Sequence, residues 1–220
     1  MRLIGRLECK IRHDHADRRS LLCGCAAAAF ALLGRSAGAD ESDDPARLAR
    51  PQKGDRLVHF MGAHQGAEMK QNELKVGDEP VLAWAFDPVK KVPRDGSRLN
   101  LVLIVRLDPA TLVPEEKARA VDGIVAFSAI CTHQQCPVTE WLAQTQHFHC
   151  PCHQSEYDPR RGATVIGGPA PRPLPALPLV LADGALQVAG PFTSRVGGNR
   201  GQATNLRSGG VDRSGAAPAP

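Results

Sequence analysis

The sequence has few aromatic residues, only a slight excess of positive charge and no long hydrophobic run. Phe, Trp and Tyr make up 4% of its 220 residues, and the formal net charge is +4. A charge this small, without a clustered basic face, argues against nucleic acid as a partner. No unbroken apolar stretch reaches the roughly 18 residues of a confident membrane span. Fibrous proteins, coiled coils and polytopic membrane proteins are therefore excluded.

The first 39 residues carry the whole charge excess and are typical of an export signal. They hold seven basic and three acidic residues, so the other 181 residues hold twenty of each. Arg18 and Arg19 precede a thirteen-residue apolar run at 21–33, and Ala37-Gly38-Ala39 supplies small residues for cleavage. This layout resembles a twin-arginine signal and predicts delivery to the periplasm. An uncleaved membrane anchor and a short hydrophobic helix of the mature protein are the alternatives.

The rest of the chain alternates short apolar runs with turn residues. Residues 40–56 are charged and contain two prolines, which predicts a linker. Runs such as VLAWAF (81–86) and LVLIVRL (101–107) follow, and Asp183-Gly184 is a hairpin turn signal. Seven or more such strands predict an antiparallel all-β domain over residues 57–192. Residues 193–220 are rich in Gly, Arg and Ala, which predicts a disordered tail.

Cysteine is concentrated in one place once the first 39 residues are set aside. The four remaining cysteines lie in the segments CTHQQC (131–136) and CPCHQSEYD (150–158). Two thiolates and two imidazoles from such loops can hold zinc in a tetrahedral site. A zinc site leaves the remaining Cys and His positions unexplained, although it stays an alternative. The nearby His147 and His149, which alternate around Phe148, are expected to be exposed strand residues.

The two segments resemble the paired motifs of the Rieske iron–sulfur proteins, C-T-H-x-x-C and C-P-C-H-x-S-x-Y-D. The resemblance continues through Gly168, Pro169, Ala170 and Pro171, which match the proline-containing loop beside the cluster. It implies a Rieske-type antiparallel β-sandwich with a small cluster-binding subdomain inserted at about residues 123–175. It also implies a [2Fe–2S] cluster as the cofactor.

By this resemblance each iron of the cluster has its own pair of protein ligands. Cys131 and Cys150 would ligate one iron, and His133 and His153 would ligate the other. Neutral imidazoles in place of thiolates make the cluster less negative, and such centres have potentials of about −150 to +300 mV. The resemblance therefore implies a cluster that accepts an electron more readily than an all-cysteine one.

The same resemblance implies a disulfide between Cys136 and Cys152, which would join the two cluster loops. Such a bond forms only in an oxidising compartment. The export signal at residues 1–39 is an independent indication of that compartment. Two unrelated features of the sequence thus agree.

Two hydroxyls are implied to tune the cluster, and three glutamines depart from the family pattern. Ser155 and Tyr157 would donate hydrogen bonds to a bridging sulfide and a ligating thiolate, which raises the reduction potential of the cluster.

Gln134, Gln135 and Gln154 stand where many quinol-oxidising members have an apolar residue and two glycines. We expect the polar Gln134 to disfavour quinol docking, and the loss of both glycines to change the loop shape.

The predicted function is periplasmic one-electron transfer by the iron–sulfur subunit of a larger oxidoreductase. The electrons would pass to a c-type cytochrome or a similar acceptor. The larger partner would be a cytochrome b subunit in a quinol–cytochrome c reductase, or a molybdopterin subunit in a molybdenum oxidase such as arsenite oxidase. A Rieske ferredoxin and a zinc-binding module are less favoured functions for the same cysteines and histidines.

Overall fold

The computed structural model describes residues 44–198, which form short strands connected by turns and loops. Within this part, two four-residue helices are present, α1 (Pro45–Leu48) and α2 (Pro114–Lys117). The strands are β1 (Arg56–His59), β2 (Val81–Asp87), β3 (Val92–Pro93), β4 (Val102–Arg106), β5 (Ile124–Ser128), β6 (Glu140–Leu142), β7 (His147–Cys150), β8 (Ser155–Asp158), β9 (Thr164–Gly167), β10 (Leu179–Ala182) and β11 (Ala185–Val188). The predicted export signal, with Arg18 and Arg19, and residues 199–220 of the predicted tail lie outside the described residues.

Seven strands form one antiparallel sheet, here called the base sheet. Its order is β10-β11-β1-β2-β4-β5, and the two-residue β3 pairs with the last two residues of β2. Just before β10 the chain returns to β5, where Ser128 N–H donates to the Pro175 carbonyl and Leu177 N–H donates to the Ala126 carbonyl, both at 2.8 Å. These bonds join the two ends of the sheet, so the base sheet closes around a core of its own.

The other four strands form a second antiparallel sheet, the small sheet, in the order β6-β7-β8-β9. It is inserted in the chain between β5 and β10 of the base sheet. The predicted fold class, an all-β antiparallel architecture with a small inserted subdomain, is confirmed. Between residues 44 and 198, no helix has the length and apolar character needed to cross a membrane.

The strands β4 and β5 are buried on both faces because a core lies on each side of them. Ile104 faces the core inside the base sheet, whereas Leu103 faces a second core that the small sheet covers. Phe127 of β5 and Phe148 of β7 meet edge to face in this second core, with ring centroids 5.8 Å apart. This double burial explains the unbroken apolar run at 101–105, since a strand exposed on one face would alternate.

Residues 44–55 pack against the base sheet, whereas the sequence predicts a linker over 40–56. Ala46 and Asp55 are buried. The buried Arg94 guanidinium donates to the Ala46 carbonyl at 3.1 Å and to the Asp55 carboxylate at 2.8 Å. The local composition of 40–56 cannot show this, because the partner that anchors the segment lies 39 residues further along the chain.

Candidate metal centre

The first cysteine loop (residues 131–136) follows β5 and turns sharply. Cys131 N–H donates to the Cys136 carbonyl at 2.8 Å, and Gln135 N–H donates to the Cys131 carbonyl at 3.1 Å. These two bonds close the turn from both ends. Gln135 has a φ of 61°, in the left-handed region that glycine favours.

The second cysteine loop (residues 150–155) connects β7 to β8 and has the same kind of turn. Gln154 N–H donates to the Cys150 carbonyl at 3.0 Å, and Gln154 has a φ of 60°. Both glutamines thus adopt the backbone conformation that a glycine would take, at a cost of about 1–2 kcal/mol each. The two turns therefore form without glycine.

A disulfide between Cys136 and Cys152 joins the two cysteine loops. Among residues 44–198 this leaves Cys131 and Cys150 as the free cysteines. The cross-link joins the last residue of the first loop to the third residue of the second, so each loop offers one free thiol from its first residue. The structure thus contains the loop-to-loop connection that the resemblance implies.

The two free thiols are buried next to each other. Cys131 is 1% exposed and Cys150 is 0% exposed. Burial, above all, raises the pKa of the Cys150 thiol, and the neighbouring Cys131 thiol raises it further. A buried thiolate pair needs a nearby positive charge, which a bound metal ion supplies.

His133 and His153 form a second pair, each two or three residues from a cysteine. Their ring centroids lie 4.6 Å apart and the rings are nearly perpendicular. The Nδ1 atom of His133 is buried, and no atom of residues 44–198 forms a hydrogen bond with it. His153 is exposed. A buried nitrogen without a partner is costly unless it binds a group from outside the chain, and a metal ion is such a group.

This donor set fits two metal ions better than one. In the described part of the chain, no three His, Cys, Asp or Glu side chains converge on a single point. A thiol pair and a separate imidazole pair instead match a centre in which each metal has two protein ligands. The residues therefore fit a [2Fe–2S] cluster with Cys131 and Cys150 on one iron and His133 and His153 on the other, and they do not fit a tetrahedral zinc ion.

Tyr157 of β8 reaches the first cysteine loop from the second core. Its Oη lies 3.1 Å from Cys131 Sγ and accepts a hydrogen bond from Thr132 N–H at 3.3 Å. Because the Thr132 amide occupies an acceptor position, the Tyr157 O–H is available to donate to the sulfur. Burial first, and then the contact with Cys131, raise the pKa of the Tyr157 phenol, so it remains a donor over the whole physiological range.

The proline loop (residues 168–171) lies directly against the second cysteine loop. Ala170 N–H donates to Ser155 Oγ at 3.2 Å, which leaves the Ser155 O–H available as a donor. Gly168 has a φ of 79°, and a Cβ there would lie only 2.5 Å from the Gln154 carbonyl oxygen. Glycine is therefore required at 168 both for its conformation and for the close approach of the two loops.

Sequence reasoning missed a third element at the site, the C-terminal segment (residues 193–198). Arg172 donates to the Gly197 carbonyl, and a Cβ on Gly198 would lie 2.5 Å from the His133 carbonyl oxygen. Thr132 Oγ1 donates to the Arg172 carbonyl at 2.6 Å. The sequence predicts a disordered tail from residue 193, because Arg172, the partner of Gly197, lies 25 residues earlier and no local pattern indicates the contact.

His147 and His149 both lie on a strand as predicted, but neither is exposed. His149 is 8% exposed, and its Nδ1 lies 2.6 Å from a Glu140 carboxylate oxygen on β6. His147 is half-buried, with its Nε2 2.9 Å from an Arg160 nitrogen. These contacts tie the small sheet together beside the site.

The comparisons with known proteins agree with this geometry. Residues 65–178 match the model of the Rieske [2Fe–2S] domain family. The chain is 43% identical over 98 residues to the cytochrome bc1 complex Rieske iron–sulfur subunit of Streptomyces lividans, covering 44% of this chain and 58% of that protein. It is 38% identical over 165 residues to the subunit of the same name from Corynebacterium diphtheriae, covering 62% of this chain and 41% of that protein.

The chain therefore spans 58% of the first of these relatives and 41% of the second. A solved structure described as a hyperthermophilic respiratory Complex III is also similar, with 26% identity and a TM-score of 0.36 over 57% of this chain and 74% of that one. The family match itself extends over just over half of the chain and includes both cysteine loops and the proline loop. The chain belongs to the Rieske [2Fe–2S] family, and its cofactor is a [2Fe–2S] cluster.

Proposed function

We propose that this protein is a one-electron carrier, the iron–sulfur subunit of a respiratory oxidoreductase of the quinol–cytochrome c reductase type. The observation that carries the proposal is the presence of a buried free thiol pair and a pair of neighbouring imidazoles on two loops that a disulfide joins. The names of the two bacterial relatives, both subunits of a cytochrome bc1 complex, support this type of complex.

Each part of the site has a task in such a carrier. Cys131 and Cys150 hold one iron, and His133 and His153 hold the other. When bound, the cluster supplies reversible one-electron storage at about −150 to +300 mV. His153 is the exposed ligand, so the imidazole edge is where a redox partner comes closest.

The surrounding residues keep this arrangement in place and adjust its charge balance. Tyr157 and Ser155 present O–H groups to the sulfur side of the site, and such hydrogen bonds stabilise the reduced form. The Cys136–Cys152 disulfide holds the two cysteine loops together from outside.

We place the protein in the periplasm, where its acceptor would be a c-type cytochrome and its larger partner a cytochrome b subunit. The disulfide supports an oxidising compartment. Arg18 and Arg19 before the apolar run at 21–33 support export by the twin-arginine route. N-terminal sequencing of the exported protein tests this: a start near Asp40 supports cleavage, and an intact Met1 supports an anchor.

The cluster assignment is tested by metal analysis of the full-length protein. We expect equal amounts of iron and acid-labile sulfide, and an electron paramagnetic resonance (EPR) signal after reduction. Cys150→Ser should lose all three, whereas His64→Gln, which removes an exposed imidazole outside the site, should retain them. Zinc without acid-labile sulfide in the wild-type protein would refute the proposal.

The type of complex is tested by affinity purification from the native membrane. A cytochrome b subunit in the purified complex supports the proposal, whereas a molybdopterin subunit would assign the protein to a molybdenum oxidase.

Gln134, exposed on the first cysteine loop, allows a second test. If quinol docks there, Gln134→Leu should accelerate reduction of the complex by quinol, while leaving the oxidation of the isolated protein by a c-type cytochrome unchanged.

A further inference from the structure

Arg172 carries a positive charge at the cluster site that no carboxylate in residues 44–198 neutralises. Its guanidinium donates to the Gly197 carbonyl, and its Nη1 atom is buried without a hydrogen-bond partner among the described residues. The other partly buried arginines near the site, Arg119 and Arg160, each pair with a carboxylate. A partly buried guanidinium with one buried, unpaired nitrogen is costly unless a negative charge nearby compensates it.

Short contacts connect Arg172 to the ligand Cys131. The Arg172 carbonyl accepts from Thr132 Oγ1 at 2.6 Å, and Thr132 N–H donates to Tyr157 Oη at 3.3 Å. That hydroxyl lies 3.1 Å from Cys131 Sγ.

The side chain of Arg172 is held on its other side by the C-terminal segment. Gly197 accepts its hydrogen bond, and the next residue, Gly198, leaves no room for a Cβ against the His133 carbonyl. Arg195 of the same segment donates to the Gly198 carbonyl. Its positive charge is close enough to Arg172 to repel it. The Arg172 carbonyl is thus bonded to the residue next to Cys131, and its guanidinium is bonded to a segment that lies against the His133 carbonyl.

We propose that Arg172 is a positioning residue of the cluster site that also raises the reduction potential of the cluster through its positive charge. This proposal rests on the proposed function, because it requires the cluster to be held by the four ligands named above. One added electron makes the cluster one unit more negative. A fixed positive charge in a partly buried site therefore stabilises the reduced form more than the oxidised one.

The test compares the midpoint potentials of the full-length, cluster-loaded wild type and of Arg172→Gln, Arg172→Met and Arg172→Lys, titrated with dithionite and followed by EPR. The two neutral variants should be harder to reduce, with the equilibrium constant for reduction about 3- to 10-fold lower; a tenfold change corresponds to about 59 mV. Arg172→Lys, which retains the charge, should stay within about twofold of the wild type. Arg161→Gln is the matched control, because Arg161 is 74% exposed in its side chain and should have almost no effect.

The outcomes separate this inference from the proposed function. Wild-type protein without a [2Fe–2S] signal would overturn the proposed function itself. A loaded Arg172→Gln or Arg172→Met with the wild-type midpoint would overturn only the tuning role, as would a shift of equal size in Arg161→Gln. If both neutral variants fail to retain the cluster while Arg172→Lys retains it, the requirement for positive charge is supported. Loss of the cluster in all three variants would show a structural role alone.

Discussion

Replacing Gly168 by alanine should damage the cluster site far more than the same change at Gly184. Both glycines have nearly the same backbone conformation, with φ of 79° and 76°. An alanine in this left-handed region costs about 1 kcal/mol in either place, after the gain from a stiffer unfolded chain is subtracted. The two substitutions therefore differ almost entirely in what the new methyl group meets.

At Gly184, in the turn between β10 and β11, nothing lies within 4 Å of the added methyl. At Gly168 the methyl would lie 2.5 Å from both the Gln154 carbonyl oxygen and the Ser155 Cα. These are backbone atoms, which cannot move aside as a flexible side chain would. The proline loop must then lift away, and the hydrogen bond from Ala170 N–H to Ser155 Oγ is lost.

We expect Gly168→Ala to lower the free energy of unfolding by about 2–4 kcal/mol, and Gly184→Ala by about 1 kcal/mol. The larger value adds a steric overlap of about 1–3 kcal/mol to the shared conformational cost. Urea denaturation of the two variants measures the difference. The rate of cluster loss on warming, followed by visible absorption, should increase for Gly168→Ala alone.

Equal destabilisation by the two alanines would refute this reasoning, because it would mean that the proline loop does not press on the second cysteine loop. A stable Gly168→Ala variant that loses its cluster as slowly as the wild type would refute it as well. A third variant checks the mechanism: Ser155→Ala removes the hydrogen bond without a clash, and should cost about 1 kcal/mol.

Tyr157→Phe should lower the midpoint potential by roughly 20–60 mV, since the lost hydrogen bond favours the more negative reduced form; an EPR-monitored redox titration with no shift would exclude this role. Replacing both cysteines of the disulfide by serine should lower the free energy of unfolding by about 3 kcal/mol in urea denaturation, and equal stability would contradict a clamping role. A hydrogen bond from Lys90 N–H, foremost, holds the pKa of Asp87 below its ordinary 3.8. The Asp87 carboxylate therefore stabilises the fold above that pH, and its contribution is lost as the pH falls through the lower folded value. Asp87→Asn should cost about 1 kcal/mol at pH 7 and nothing in strong acid, while Asn at the exposed Asp183 should cost little at either pH.

Strands and turns that are determined by neighbouring residues can be predicted from the sequence. The apolar runs at 101–107 and 124–127 are visible as strands because each is bounded by turn residues, and Asp183-Gly184 marks its hairpin directly. β6 is not visible, because Glu140–Leu142 is short and only pairing with β7 makes it a strand. The proposed ligand set is recognisable for the same local reason, since each cysteine loop contains its cysteines and histidine within a few positions.

Contacts between distant positions explain the differences from the predictions. The packing of residues 44–55 depends on Arg94, and that of the C-terminal segment depends on Arg172. Both segments have the composition of flexible chain, and each is bound by an arginine that is distant in the sequence. The burial of His149 likewise depends on Glu140 in another strand.

The cluster site is held rigid by connections that reach across the chain, and this suits an electron carrier. The two cysteine loops have strained turns at Gln135 and Gln154, so neither would keep its shape alone. The disulfide ties the loops to each other, and Gly168 lets the proline loop press on the second of them. Electron transfer is fast when both oxidation states share one geometry, so ligands fixed from several directions favour it. The loop strain is therefore compensated where it occurs, by contacts that also keep the four ligands in place.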